Sequence, residues 1–253
     1  MKRTLAVSLA FVLAAAGSAQ PGTTAKGLGG SKQLMVVTTP DWEAVDGRLQ
    51  RFERKGDEEP WRAVGVAVPV VVGKSGMAWG LGTVPADRLR LAGDPVKREG
   101  DGKTPAGVFA LGTAFGFAGA EPAAWKMPYL TLTPTIDCVD DPDSSRYNRI
   151  ADRAAMSPDW NSAEHMRAVG ENYRWGAVIE QNPADVKNAG SCVFLHVWSG
   201  AGQGTAGCTA MAKPLVETLL GWLDPAAQPM LVEMPAAQYT RLRKQLGLPA
   251  LMR

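Results

Sequence analysis

Apolar residues in this chain come in short runs cut by turn formers, and few windows keep a helical period. Residues 33–38 (QLMVVT), 47–52, 61–65, 66–72, 107–111, 129–132, 175–180, 192–197 and 230–234 are rich in β-branched, aromatic and large aliphatic side chains. Gly, Pro, Asp or Asn lie between many of them, which predicts strands. Helical spacing is confined to two windows. Residues 213–223 (KPLVETLLGWL) put Leu215, Leu219 and Trp222 on one face, with Pro214 where a first-turn proline is tolerated. Residues 236–246 form the second window, closed by Gly247. Residues 162–169 make a shorter helical candidate. Many short strands with turn residues between them predict a mainly β chain with a sandwich or barrel-like core and a few peripheral α-helices.

The N-terminal pattern differs from the rest. Lys2-Arg3 precede an apolar run over residues 5–16, and the small residues Gly17-Ser18-Ala19 follow. A basic start, a short apolar stretch and a small-residue exit predict a secretory signal peptide over residues 1–19, an uncleaved N-terminal anchor being the alternative. The run falls short of the roughly 20 apolar residues that a spanning helix needs. Residues 20–31 (QPGTTAKGLGGS) read as a flexible lead-in, and residues 32–253 as one domain.

Charge changes the picture by exclusion. The chain has 27 Lys and Arg against 25 Asp and Glu, and removal of Lys2 and Arg3 with the leader leaves the remainder formally neutral. A neutral chain without a basic run lacks the electrostatic footprint of a nucleic-acid binder.

Chemistry narrows to few residues, since the chain has two histidines, His165 and His196, and three cysteines, Cys138, Cys192 and Cys208. A nucleophilic cysteine needs a base nearby, because the thiolate is the reactive form. Cys208 lies in Gly204-Thr205-Ala206-Gly207-Cys208-Thr209-Ala210, a run of small residues that lets backbone approach a substrate closely. Amides such as those of Gly207 and Cys208 are candidates for an oxyanion hole. His196 ends the apolar strand Val193-Phe194-Leu195-His196, and the Gly-rich loop after it can fold back toward Cys208. On spacing alone, a buried histidine satisfied by backbone and a cysteine used as a small core residue remain an equal alternative.

These residues resemble the YkuD-like L,D-transpeptidases, whose signature is a His at a strand end, a loop, then Ser/Thr-His-Gly-Cys; here the matching residues are His196, Thr205, Ala206, Gly207 and Cys208. A second segment, Gly100-Asp101-Gly102-Lys103-Thr104-Pro105-Ala106-Gly107-Val108-Phe109, looks like that family's G-D-G-K-T-P-x-G-x-F. The likeness spans about residues 33–234. It implies a YkuD-like β-sandwich or barrel-like core, a periplasmic location at the cell wall, and peptidoglycan stem peptides as partners. By analogy Cys208 attacks the carbonyl joining meso-diaminopimelate to a terminal D-Ala. D-Ala leaves, and an amine of a second stem resolves the thioester. His196 acts as general base, the Val197 carbonyl orients its ring, and no metal or organic cofactor is required.

Two departures bear on substrate choice. The family's His before Gly-Cys is Ala206, its Arg or Asn two residues after the Cys is Ala210, and the His–Cys interval is short. This Thr-Ala-Gly-Cys-Thr-Ala form resembles a divergent subgroup associated with links from meso-diaminopimelate to L-Ala at stem position 1 instead of 3–3 links. The alternatives are an L,D-carboxypeptidase using water in place of the amine, and an inactive cell-wall-binding protein.

The remaining candidates are weaker. Trp198 is expected to wall the donor pocket or to pack in the core, and Thr205 and Thr209 flank the nucleophile as substrate-binding candidates. The acidic stretch over residues 137–148 lacks EF-hand spacing, and Tyr147, Asn148 and Arg149 at its end are expected on a substrate rim or in a structural loop. His165 is expected as a surface or lid histidine near the cleft. Cys138 and Cys192 are the one pairing that spares Cys208, although two buried free thiols are equally compatible with the sequence.

Overall fold

The computed structural model describes residues 27–117 and 125–251. The expected leader and residues 20–26 of the lead-in fall outside that range. Residues 27–31 run against the expectation of a flexible lead-in up to Ser31. Leu28 is buried in the main core, and its carbonyl accepts from Arg54 Nη2 at 2.6 Å.

The chain is mainly β. In order come β1 (Gln33–Thr39), β2 (Asp46–Glu53), β3 (Arg62–Val71), β4 (Met77–Trp79), β5 (Thr104–Gly116), β6 (Tyr129–Thr131) and β7 (Ile136–Val139). Then follow β8 (Ile150–Asp152), β9 (Ala163–His165), β10 (Trp175–Ile179), β11 (Phe194–Val197), β12 (Thr209–Met211), α1 (Lys213–Trp222), β13 (Met230–Pro235) and α2 (Ala236–Leu242). The large sheet runs β10-β11-β12-β3-β2-β1-β13-β5, and β10 also pairs with β5, so the path returns on itself as a barrel. Closure removes the open edges that a flat sheet of this size would expose. A separate small sheet, β8-β7-β9, packs outside it.

Two cores follow from the alternation of side chains across strands. Leu34, Val36, Trp79, Phe109, Trp175, Ala177, Leu195 and Val232 fill the larger one. A second cluster holds Phe115, Leu132, Ile136, Cys138, Met166, Tyr173, Phe194 and Cys208, in the seam between the barrel and the small sheet. The functional candidates lie along that seam.

Several expected elements change on folding. The runs over 61–65 and 66–72 are one strand, β3. Its register against β2 slips between Leu49 and Arg51, opposite Gly65, whose φ of 67° makes a bulge of what reads as a break. Residues 162–169 are not a helix: Ala163–His165 pair with β7, and Met166–Tyr173 form 3-10 turns interrupted at Gly170. The second helix stops at Leu242, and turns lead to Gly247, whose φ is 66°. Among the described residues no helix is long and apolar enough to cross a membrane.

Candidate active site

Strand β11 sends Leu195 and Val197 into the main core, so Phe194 and His196 face the seam. Leu195 pairs in register with Thr209 and His196 with Ala210 on the parallel strand β12. Residues paired across strands point the same way. Thr209 therefore turns inward, while Cys208, next to Thr209 and opposite Phe194, turns to the seam beside His196. The Phe194 N–H reaches Cys208 Sγ at 3.3 Å, and the thiol lies 3.7 Å from the Cys192 carbonyl. Tyr173 lines the same cleft as Cys208 and Glu164, and its ring packs edge-on against His196 at 5.1 Å.

A cleft of about 180 Å³ opens onto this group, lined in part by Glu164, Asn172, Tyr173, His196, Trp198 and Cys208. His196 Nδ1 lies 2.8 Å from the Val197 carbonyl. A carbonyl accepts only, so Nδ1 carries the proton and the other ring nitrogen of the neutral imidazole keeps its lone pair. Burial pulls His196 down to about 4, with the carbonyls of Val197 and Asn172 opposing. Burial pushes the Cys208 thiol up to about 12, with the Glu164 carboxyl adding to the rise and the Phe194 N–H and Tyr173 hydroxyl opposing it. The resting cleft holds a protonated thiol, turned to the Cys192 carbonyl, and a neutral imidazole. A cysteine nucleophile requires a base of that kind to take its proton as attack proceeds.

The second motif supports the first. Thr104 Oγ1 donates to the Cys208 carbonyl at 2.9 Å and accepts from the Gly73 N–H at 2.8 Å. Asp101 Oδ1 receives the Lys103 N–H at 2.9 Å and pairs with Lys97 Nζ at 2.5 Å, folding the loop. A side chain on Gly73 would sit 2.3 Å from the Gly102 carbonyl, so glycine is required where the strand after β3 meets this loop.

Among the sequence-selected residues, Cys208, His196, Trp198 and Thr205 line the cleft, and Val197 supplies the carbonyl behind the imidazole. Thr205 Oγ1 also donates to the Cys208 carbonyl at 2.6 Å and accepts from the Gly207 N–H at 3.1 Å. That bond engages the Gly207 N–H, expected as an oxyanion donor, with Thr205 in the resting site. Thr209 is not brought to the cleft. It is fully buried and donates to Glu233 Oε2 at 2.7 Å, away from the cleft.

His165 faces away from the cleft, because neighbouring residues on a strand point to opposite sides and Glu164 takes the inner one. Its Nδ1 lies 2.8 Å from Asp137 Oδ1, which also pairs with Arg153. Tyr147, Asn148 and Arg149 do not form the rim of this cleft. Tyr147 is buried and bonded to Glu99. Asn148 donates to the carbonyls of Gln181 and Asn182 and accepts from the Cys192 N–H. Arg149 pairs with Asp185. The side chains of Asn148 and Arg149 instead border a larger cavity of about 420 Å³ between barrel and small sheet, which contains neither histidine nor free thiol.

Cys138 and Cys192 are disulfide-bonded, and Cys208 is the free cysteine. Among the described residues no group of His, Cys, Asp or Glu is arranged to hold a metal ion. Sequence reasoning missed Glu164, Asn172, Tyr173 and Thr104 as site residues. Only Thr104 carried a local signal, its place in the second motif. No family model matches the chain, and no curated protein or solved structure matches it.

Proposed function

We propose that this protein is a cysteine acyltransferase of the L,D-transpeptidase type, acting on peptidoglycan stem peptides outside the cytoplasm. The observation that carries the reading is the meeting of both motifs at one sulfur. Cys208 and His196 share a cleft, the Val197 carbonyl fixes the imidazole tautomer, and Thr104 of the G-D-G-K-T-P segment holds the Cys208 carbonyl.

In this reading a stem tetrapeptide enters with its meso-diaminopimelate carbonyl at Sγ. The thiol turns from the Cys192 carbonyl and gives its proton to the imidazole nitrogen not held by Val197, as Sγ attacks. Collapse of the tetrahedral intermediate releases D-Ala, which takes that proton from His196, and leaves a thioester on Cys208. An amine of a second stem then attacks the thioester, forming an amide and restoring the thiol. With Gly207 N–H engaged by Thr205 in the resting site, the Cys208 N–H is the oxyanion donor of this reading, and the Phe194 N–H lies 3.3 Å from the sulfur.

The replaced motif positions fit an unusual choice of substrate. Ala210 is fully buried in β12 and Ala206 lines the cleft, so neither position offers substrate a charged partner. The reading takes the linkage to be the divergent one, from meso-diaminopimelate to L-Ala at stem position 1. The test is incubation with purified tetrapeptide muropeptides, read by mass spectrometry. The reading expects crosslinked dimers and a Cys208-linked acyl-enzyme that is absent from Cys208→Ala. Tripeptides alone would make the protein a carboxypeptidase, only 3–3 dimers would exclude the position-1 linkage, and full turnover by Cys208→Ala would remove the mechanism.

A further inference from the structure

We infer that Glu164 is the receiving group for the resolving amine, binding it as an ammonium ion and taking one proton from it before attack on the thioester. This rests on the acyltransferase reading above and assigns the half of the reaction that the Cys208–His196 pair leaves open. An amine at neutral pH is mostly protonated and has no lone pair to attack with. Water needs no such treatment, so a transferase has use for a carboxylate that a hydrolase lacks.

The geometry points to Glu164 on three counts. It is the one acidic side chain among the residues lining the cleft, and neither Lys nor Arg lines it. A cleft so furnished attracts a cation and meets the carboxylates of the donor stem with neutral donors only. Second, Glu164, Tyr173 and Cys208 line one cleft of only about 180 Å³. In so small a space a nucleophile about 3–3.5 Å from the thioester carbonyl meets the carboxyl as it enters. Third, Glu164 Oε1 is buried without a hydrogen-bond partner. An unsatisfied carboxyl oxygen is costly to keep, and an incoming ammonium ion supplies the donor it lacks. Burial raises the affinity of Glu164 for a proton, which suits a group that must accept one from an ammonium ion.

The step balances without an added reactant. The ammonium gives one proton to the Glu164 carboxylate, and the neutral nitrogen attacks the thioester carbonyl. As the C–N bond forms and the C–S bond breaks, the second proton passes through His196 to the departing sulfur. Amide and free thiol result, and Glu164 returns its proton to solvent.

The test is the partition of the acyl-enzyme between amine and water, which does not depend on how fast the acyl-enzyme forms. Tetrapeptide donor is supplied with either methylamine, which arrives as an ammonium ion, or hydroxylamine, which arrives uncharged. In Glu164→Gln the amide-to-acid product ratio should fall at least tenfold with methylamine and stay within about twofold with hydroxylamine, whose response also shows that the variant is folded. Equal loss with both nucleophiles, or no loss with methylamine, overturns the assignment. If the unaltered protein gives D-Ala release and tripeptide but no methylamide, the acceptor role fails while the cysteine chemistry stands. If it forms no acyl-enzyme, the acyltransferase reading falls and takes this with it.

Discussion

Cys208 sits where burial, not pairing, sets its resting state. With its thiol pushed up to about 12, its rate of alkylation by iodoacetamide should keep rising above pH 9, where an exposed thiol has levelled off. A plateau near pH 8 would mean a preformed thiolate. His196 is the base in this scheme, so His196→Gln, close in size but unable to take the proton, should lower acyl-enzyme formation by about 10²–10⁴-fold. Glu233 is a second buried ionisable group, bonded to Thr209 through Oε2 while Oε1 has no partner. Burial raises it from 4.5 to about 8. Between those values the folded protein keeps a proton that the unfolded chain has lost, so stability is full below about 4.5 and declines as pH rises to about 8. The decline is on the order of a few kcal/mol. Glu233→Gln should flatten it, as urea unfolding at pH 5 and pH 8 would register, and an unchanged slope would point to other groups.

Elements, rather than single residues, bring the site together. Strand β7 is tied by the Cys138–Cys192 disulfide to the segment entering β11, and it carries β9 and Glu164 along its edge. The Cys192 carbonyl touches the nucleophile, so one covalent link spans both walls of the cleft. The bridge closes a loop with a sequence separation of 54. Its reduction should therefore lower stability by about 2–4 kcal/mol, measurable as a lower Tm in dithiothreitol. The loop before β5 acts from the opposite side. Thr104→Val keeps the volume but leaves the Gly73 N–H without its buried partner and the Cys208 carbonyl with Thr205 Oγ1 alone. A loss of about 1–3 kcal/mol in stability is expected, with slower acylation as the turn at Cys208 loosens. Wild-type acylation kinetics in that variant would separate the second motif from the site.

At the scale of the whole molecule, the barrel closes where β10 meets both β5 and β11. Gly176 lies opposite Phe115 on one side and His196 on the other. A side chain there would come within 2.4 Å of the Phe115 ring and 2.7 Å of the Leu195 carbonyl. Gly176→Val should cost several kcal/mol by forcing the closing strands apart, and it should disturb the site as well, because the same strand seats His196. Equilibrium stability and acyl-enzyme formation would both fall, whereas a change at an exposed position within β3 such as Val66 should leave each nearly untouched.

What the chain dictates by itself is local. Alternation and β-branching mark β1, β2, β5, β10, β11 and β13, proline and periodicity mark α1, and the small residues around Cys208 mark a backbone that approaches something closely. The short strands β4, β7, β8, β9 and β12 carry too few residues for a period to register, and their extended form is held by partners distant in sequence. For the same reason the sequence could nominate His165, Thr209 and Tyr147 but not orient them. A side chain's face depends on register, and register is fixed by pairing between strands. Only folding turned Glu164 inward and His165 outward, set Thr209 on Glu233, and brought Tyr173 into one cleft with Glu164 and Cys208. Chemical capacity is written along the chain, while adjacency and desolvation, which decide how that capacity is used, arise from contacts that no local window contains.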